Sequence, residues 1–166
     1  CEATFSGHQA AVRGGLALNP ERWLSWAEDG SLRLWQLSTG RCVGVVETGF
    51  EYPFQATCLP DGRIAAWSDA SEGSATVKVW SADSLTLVLS RSYGDHEVQA
   101  VTARAGLLWI RYAYGPIVSW DESTPEEQPQ VWTASTMRLQ HQDVWAELNS
   151  RDSSTHQLGP FRGYGA

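Results

Sequence analysis

The sequence predicts an all-β protein made of repeated units, and three observations support that prediction. The stretch Trp23–Gln36 alternates apolar and polar side chains around the turn dipeptide Asp29-Gly30, as a β-hairpin does. Its second strand ends at a tryptophan, and similar strands end at two later tryptophans. The intervals from Trp35 to Trp80 and from Trp80 to Trp120 are 45 and 40 residues, a period typical of repeat proteins.

The first repeat resembles a unit of the WD-repeat β-propeller family. A Gly-His pair stands upstream of the hairpin, a serine lies in its first strand, an aspartate in its turn, and a tryptophan closes it. The resemblance implies four strands per blade, lettered a to d from the central channel outward. It also implies a buried hydrogen-bonded set, which a buried carboxylate needs. The residues at these positions are His8, Ser25, Asp29 and Trp35, with Trp80 and Trp120 at the tryptophan position of the later repeats.

The second and third repeats depart from this pattern. Repeat 2 has Phe50 and Ala66 where the histidine and serine stand in repeat 1, and its turn is enlarged to 69–74. Repeat 3 has His96 after an aspartate rather than a glycine, and Tyr114 in place of the turn aspartate. The resemblance is therefore most specific in repeat 1, and the later repeats match mainly through register.

The expected fold is a partial WD-repeat β-propeller of three four-stranded blades, with an N-terminal outer strand and a C-terminal helix and tail. Blades are expected over about 8–47, 48–92 and 93–133, within a unit 1–133, followed by the helix and tail over 134–166. The predicted strands are 12–18, 23–27, 32–37 and 42–47, then 54–59, 64–68, 76–80 and 85–90, then 98–103, 107–112, 117–120 and 130–133.

The region after the repeats has a different pattern. Apolar side chains at helical spacing predict one amphipathic helix over Thr136–Asn149, with Ser135 and Thr136 as candidate N-caps. The acidic, proline-bearing stretch Asp121–Gln130 before it is expected to be a solvated loop. The predicted core includes Val12, Leu16, Leu24, Trp35, Ile64, Trp80, Val101, Leu108 and Trp120.

Three blades are too few to close a propeller ring, which usually has four to eight. The segment Ala3–Phe5 is expected to be the outer strand of a preceding blade, and an unpaired strand invites pairing. Two hypotheses stay open at this point. Either the chain is part of a longer propeller, or a homodimer completes the ring by pairing Ala3–Phe5 with strand Ile117–Trp120 of a second copy.

Composition and motifs exclude several classes of function. A net charge of −7 makes nucleic acid and anionic membranes poor partners, and no apolar run approaches the ~20 residues of a membrane span. Three cysteines, Cys1, Cys42 and Cys58, have unrelated spacings, so neither a metal site nor a disulfide framework is expected. The same odd cysteine count favours a reducing compartment, and we expect a cytoplasmic location. No cofactor-binding or catalytic motif is present, and the repeat context assigns His8, Ser25 and Asp29 a structural rather than a catalytic role.

The remaining candidate site is a surface. In WD-repeat proteins partners commonly dock at the mouth formed by the loops that enter strand a and join strands b and c. Carboxylates and tyrosines dominate these loops, which suggests a protein partner with a basic surface. The leading expectation is a non-enzymatic protein-interaction scaffold; the alternatives are a regulatory domain of a larger enzyme and a small acidic inhibitor of a basic toxin. The candidate partner-binding residues are Gln9, Glu28, Glu51, Tyr52, Glu72, Glu97, Tyr112 and Tyr114.

Overall fold

The structure, a computed structural model, describes residues 5–51, 54–68, 75–92, 96–124 and 129–150. Within these ranges the chain forms three four-stranded antiparallel sheets and two helices, which confirms the expected all-β fold. The predictions for Tyr52, Glu72, the enlarged turn 69–74 and residues 151–166 lie outside the described residues.

Each sheet is a meander of consecutive strands. Blade 1 has the order β1-β2-β3-β4, blade 2 β5-β6-β7-β8, and blade 3 β9-β10-β11-β12. The strands are β1 (Val12–Asn19), β2 (Arg22–Ala27), β3 (Ser31–Gln36), β4 (Arg41–Glu47), β5 (Phe54–Cys58), β6 (Ile64–Ser68), β7 (Thr76–Trp80), β8 (Leu87–Ser92), β9 (Val98–Arg104), β10 (Leu107–Tyr112), β11 (Ile117–Asp121) and β12 (Gln130–Trp132).

The hairpin of β2 and β3 sets the register of blade 1. Trp23 pairs with Trp35, and the turn between the strands contains Gly30 at a φ of +76°, a conformation that favours glycine. The same register places Ile64 opposite Trp80 in blade 2 and Leu108 opposite Trp120 in blade 3. Side chains of the three blades can therefore be compared position by position.

Adjacent glycines in β1 allow two indole rings to lie against the sheet. A Cβ at Gly14 would lie 2.2 Å from the Trp26 ring, and a Cβ at Gly15 would lie 2.5 Å from Nε1 of Trp23. Because neighbouring residues of a strand point to opposite faces, these indoles cover opposite faces of blade 1. Trp26 belongs to the core shared with blade 2.

Two apolar cores join the blades. The first lies between blades 1 and 2, where Leu24 and Leu32 of blade 1 meet Ile64 and Trp80 of blade 2. The second lies between blades 2 and 3, where Trp67 and Val77 meet Leu108 and other side chains of blade 3. One face of each blade packs on the opposite face of the next, so the stack is repetitive.

One residue predicted for the core, Val12, lies on the surface. Val12 is 48% exposed, because its side chain points to the face of blade 1 that no other described sheet covers. The other predicted core residues are buried or, for Leu16 and Trp120, partly buried against the inter-blade cores.

The prediction of a single helix is wrong, because the described residues of this region form two helices. They are α1 (Ala134–Gln140) and α2 (Gln142–Ser150), and His141 between them has a non-helical backbone with φ −137° and ψ 51°. The N-cap is Thr133, whose side chain accepts from the amide of Thr136 in a capping box, rather than Ser135 or Thr136 itself. The break lets both helices pack on blade 3, where Met137 and Leu148 are fully buried.

Strand β12 changes the homodimer hypothesis. Val131 pairs with Val118, so the outer edge of β11 is filled by the chain's own residues. That edge was expected to accept Ala3–Phe5 of a second copy. Residues 1–4 lie outside the described ranges, and Phe5 contacts Trp35 of its own blade, with ring centroids 5.3 Å apart.

Candidate functional site

The structure brings four of the predicted site residues together in blade 1. Nδ1 of His8 lies 3.0 Å from Oδ2 of Asp29, and Nε2 of His8 lies 2.8 Å from Oγ of Ser25. Nε1 of Trp35 donates to the same Ser25 oxygen at 2.8 Å. We call this set the blade 1 network.

Donor and acceptor roles in the blade 1 network assign one tautomer to His8. The Asp29 carboxylate can only accept, so His8 Nδ1 carries the proton and donates to it. Nε2 is then an acceptor for the Ser25 hydroxyl, whose oxygen accepts from Trp35. Every polar group in this chain of bonds has a partner, which is the condition under which a buried polar network rigidifies its surroundings.

Asp29 has further partners that sequence reasoning missed. Its carboxylate accepts from the amide of Gln9 at 2.8 Å and from the amide and hydroxyl of Ser31 at 3.0 and 2.7 Å. Burial raises the pKa of Asp29, but these bonds and the one from His8 outweigh burial and lower its pKa to about 2. The sequence signal for Ser31 was present, since a residue two positions after an aspartate in a turn commonly donates to its carboxylate.

This geometry suits a structural role better than nucleophilic catalysis. Ser25 is only 6% exposed, and its hydroxyl is bonded on one side by His8 and on the other by Trp35. A serine nucleophile needs a free oxygen beside an oxyanion hole.

Both later blades have an apolar side chain at the position of Ser25. Ala66 and Ile110 stand where Ser25 stands in blade 1, and both are fully buried. Trp80 is 4% exposed in the core between blades 1 and 2. Trp120 packs on the core between blades 2 and 3, with the guanidinium of Arg91 5.4 Å from its ring centroid.

The predicted partner surface is only partly a surface. Glu51, Glu97 and Tyr114 are exposed, the last at 87%. The side chain of Glu28 is bonded to Nε of Arg13 at 2.7 Å, a neighbouring basic group that sequence reasoning overlooked. The amide of Gln9 is held by Asp29, although its side chain is exposed.

Tyr112 is a correction to the predicted surface. It is 7% exposed and belongs to the core between blades 2 and 3, where its ring lies 4.8 Å from that of His96. The same burial raises the pKa of Tyr112. Its side chain points inward because Tyr112 continues the inward alternation of β10.

An ion-pair cluster links blades 2 and 3. Arg63 donates to Glu122 at 2.8 Å and to Asp61 at 2.6 Å, and these bonds raise the pKa of the guanidinium. Glu122 was expected in a solvated loop, yet its side chain is only 20% exposed. The partners are 59 residues apart in sequence, so no local pattern indicates the pair.

No group of three or more His, Cys, Asp or Glu side chains among the described residues is placed to hold a metal ion. No helix in the described part of the chain is long and apolar enough to cross a membrane.

Curated proteins with similar sequences are ribosome biogenesis proteins by name. No protein-family model matches the chain. A ribosome biogenesis protein erb1 of Aspergillus clavatus is 27% identical over 97% of this chain and 20% of the relative. The human ribosome biogenesis protein BOP1 is 43% identical over 36% of this chain and 9% of the relative. The chain thus spans about a fifth or less of the curated relatives it matches.

Solved structures support the same fold. The crystal structure of the RRP9 WD40 repeats has a TM-score of 0.59 and 17% identity, over 78% of this chain and 41% of that one. The structure of U3-55K has a TM-score of 0.58 and 18% identity, over 76% of this chain and 41% of that one. The crystal structure of the computationally designed Ika4 protein has a TM-score of 0.61 and 20% identity, over 81% of this chain and 79% of that one.

Proposed function

We propose that this chain, which has the fold of WD40-repeat proteins, acts as a non-enzymatic protein-interaction module in ribosome biogenesis. The observation that carries the proposal is the blade architecture, in which the polar side chains that could perform chemistry are bonded to one another inside blade 1. What a partner can reach is the surface of the blades. The biological context is suggested by the relatives, which are ribosome biogenesis proteins by name.

The chain's place in a longer assembly belongs to the proposal. It matches a fifth of the Aspergillus clavatus protein and 41% of the RRP9 WD40 repeats. We therefore propose that the three blades contribute to a larger propeller. Two alternatives remain, a regulatory domain of a larger enzyme and an acidic inhibitor of a basic toxin, and no contact among the described residues favours either of them. Cytoplasmic residence stays a prediction.

The proposed partner has a basic surface. Glu97 and Tyr114 are exposed in adjoining loops of blade 3, where the carbonyl of Glu97 accepts from the amide of Ala113. Exposed carboxylates beside a tyrosine favour a partner with lysine and arginine side chains, because opposite charges steer association and tyrosine contributes contact area. Ribosomal particles are rich in basic proteins, which makes them the target to test.

The test is cosedimentation with ribosomal precursor particles. The tagged chain, expressed in Aspergillus clavatus, should migrate with ribosomal precursor particles in a sucrose gradient. The double variant Glu97→Lys and Tyr114→Ala should shift most of it to the top fractions. Asp83→Lys is the matched control, because Asp83 is 95% exposed on blade 2 and should leave migration unchanged. Migration of the native chain with free proteins alone would contradict the proposal.

A further inference from the structure

Ser123 has the sequence context of a substrate for an acidophilic serine/threonine kinase. Kinases of this class read acidic side chains around the target hydroxyl, above all at the third position after it. Asp121 and Glu122 precede Ser123, and Glu126 stands three residues after it. Six hydroxyl residues of this chain have a carboxylate at that spacing, namely Ser25, Thr48, Ser92, Ser119, Ser123 and Thr124. Sequence alone therefore does not select one of them.

Burial removes four of the six positions. Ser25, Thr48 and Ser119 are 6%, 2% and 2% exposed. The Oγ1 atom of Thr124 is also buried. A kinase must bring the hydroxyl oxygen into line with the γ-phosphate of ATP, so a buried oxygen does not react while the chain is folded.

Strand pairing separates the remaining two positions. Ser92 is the last residue of β8 and pairs with Thr76 in β7, and its Oγ lies 3.2 Å from Oγ1 of Thr76. Ser123 is exposed and lies beyond the end of β11, outside any strand. A kinase binds its target as an extended single segment, and a residue paired in a sheet would first have to leave that sheet. Ser123 is therefore the accessible target.

A cavity beside Ser123 contains two arginines. Ser123 lines this cavity of about 710 Å³ together with Arg63 of blade 2 and Arg104 of blade 3. Arg63 already donates to Asp61 and Glu122, at 2.6 and 2.8 Å. Because both carboxylates hold Arg63, Arg104 is the cation more readily available to a phosphate on Ser123.

The present contacts of Arg104 and Ser123 favour an exchange of partners. The guanidinium of Arg104 lies 3.2 Å from Oδ2 of Asp143 on α2, but the two side chains are 50% and 76% exposed, and such pairs contribute little. Oγ of Ser123 donates to Asp121 at 2.6 Å. A phosphorylated oxygen has no proton to donate, and its charge of about −1.5 to −2 is repelled by Asp121 and attracted by an arginine.

We propose that Ser123 is a phosphorylation site and that its phosphate pairs with Arg104, drawing this side chain away from Asp143. In the reaction, Oγ of Ser123 attacks the γ-phosphorus of ATP, the bond to the β-phosphate oxygen breaks to release ADP, and the hydroxyl proton passes to a base of the kinase. Arg104 also lines a second cavity of about 540 Å³ with His141 and Asp143. Phosphorylation of Ser123 therefore alters the surface beside the helix pair.

Phosphorylation of the purified full chain by an acidophilic serine/threonine kinase with ATP tests the site. The intact mass should rise by one phosphoryl group, and peptide mapping should place it on Ser123. Ser123→Ala should lose almost all incorporation, and Glu126→Gln should slow it, because the acidic side chain that the kinase reads is removed. Ser92→Ala and Thr124→Ala are matched controls with the same acidic spacing, and both should incorporate phosphate at the native rate. No incorporation, or incorporation mainly on another residue, would overturn the proposal.

Phosphorus NMR of the phosphorylated chain tests the contact with Arg104. The second pKa of a phosphoserine is ordinarily about 6, and a neighbouring arginine lowers this pKa because it favours the dianion. Asp61, Asp121 and Glu122 line the same cavity and raise the pKa, but they do so in native and variant chains alike. The pKa of the phosphate should therefore be higher in Arg104→Met than in the native chain. Arg138→Met removes a cation of α1 outside the cavity and should leave the pKa unchanged. Equal pKa values in the native chain and Arg104→Met would overturn the pairing.

Discussion

Blade 1 and blade 3 share one strand order but are stabilised by different side chains. Blade 1 has the hydrogen-bonded network that ends at the Trp35 indole. Blade 3 has Ile110 at the serine position. It also has an aromatic cluster, in which the ring centroid of His141 lies 4.8 Å from that of Trp109 and 4.7 Å from that of Trp132. The comparison teaches that strand register is enough to build a blade. The polar network is one of several ways to fill it, because apolar side chains of suitable volume can replace a satisfied polar set.

The largest effect is expected from removing the aromatic cluster. Trp109 is 2% exposed, so Trp109→Ala should lower the free energy of unfolding by about 3–5 kcal/mol, since it removes a large buried ring and leaves a cavity. Urea unfolding followed by circular dichroism measures this. Trp23→Ala is the control, because Trp23 is only partly buried on the face of blade 1 that no other described sheet covers, and it should have a smaller effect. Equal losses would contradict the burial of Trp109 against the two helices.

Breaking the blade 1 network should have the next largest effect. Asp29→Ala leaves buried donors without partners and should lower the free energy of unfolding by about 1–3 kcal/mol. His8→Ala should add less to this variant than it removes from the native chain, because the two side chains share one network. Full additivity in urea unfolding would show that the two side chains act independently.

The same aspartate should make stability depend on acidity. The pKa of Asp29 falls from 3.8 to about 2 on folding, so its contribution is fully present above about pH 5 and is lost progressively as the pH falls through 3.8 towards 2. The part lost is about 1–2 kcal/mol after allowing for screening by solvent. Measured between pH 5 and pH 2, the stability gap between the native chain and Asp29→Ala should narrow by that amount; a constant gap would contradict the lowered pKa.

The junction between blades 2 and 3 offers a smaller effect. Arg63→Met removes bonds to Asp61 and Glu122 that are partly shielded from water, and should lower stability by about 1–2 kcal/mol. Arg22→Met is the control, because Arg22 approaches Asp83 at 3.4 Å on the exposed surface, and it should change stability by less than about 0.5 kcal/mol. Equal thermal melts for the two variants would rule out a stabilising inter-blade pair.

The smallest effect compares the two equivalent cations. Lys78→Met loses the bond to the Thr48 carbonyl and the contact with Phe50, 4.6 Å away, and should lower stability by about 1 kcal/mol. Arg33 occupies the equivalent position in blade 1, two residues before the closing tryptophan. Arg33→Met should change stability by less than about 0.5 kcal/mol, since Nε of Arg33 has no hydrogen-bond partner among the described residues. A larger loss for Arg33→Met in urea unfolding would contradict a stabilising contribution from the contacts of Lys78 with Thr48 and Phe50.

Much of the fold could be predicted because its information is local. Each hairpin joins strands only a few residues apart, so apolar alternation and turn residues such as Asp29-Gly30 specify pairing without reference to the rest of the chain. The helical region was harder. Its apolar spacing was correct, but the helix breaks at His141, whose ring contacts Trp109 and Trp132, and a helical pattern does not contain contacts of this kind.

The candidate surface shows the same limit. Loop membership alone suggested that Tyr112 and Glu28 face a partner, but one side chain is buried in the core and the other is bonded to Arg13. A side chain near a strand end can point either inward or outward, and packing against the neighbouring blade decides which.

By itself the sequence determined the repeat, the strand register and the residues of the blade 1 network, because these rest on periodicity and on motif positions within a single repeat. Only the tertiary structure decided how the blades are joined and how the stack is covered. The pairing of Arg63 with Glu122 spans 59 residues, and the packing of the two helices on blade 3 requires a face that exists only after the strands have assembled. Contacts of this kind are set by the geometry of packed sheets, which local alternation does not encode.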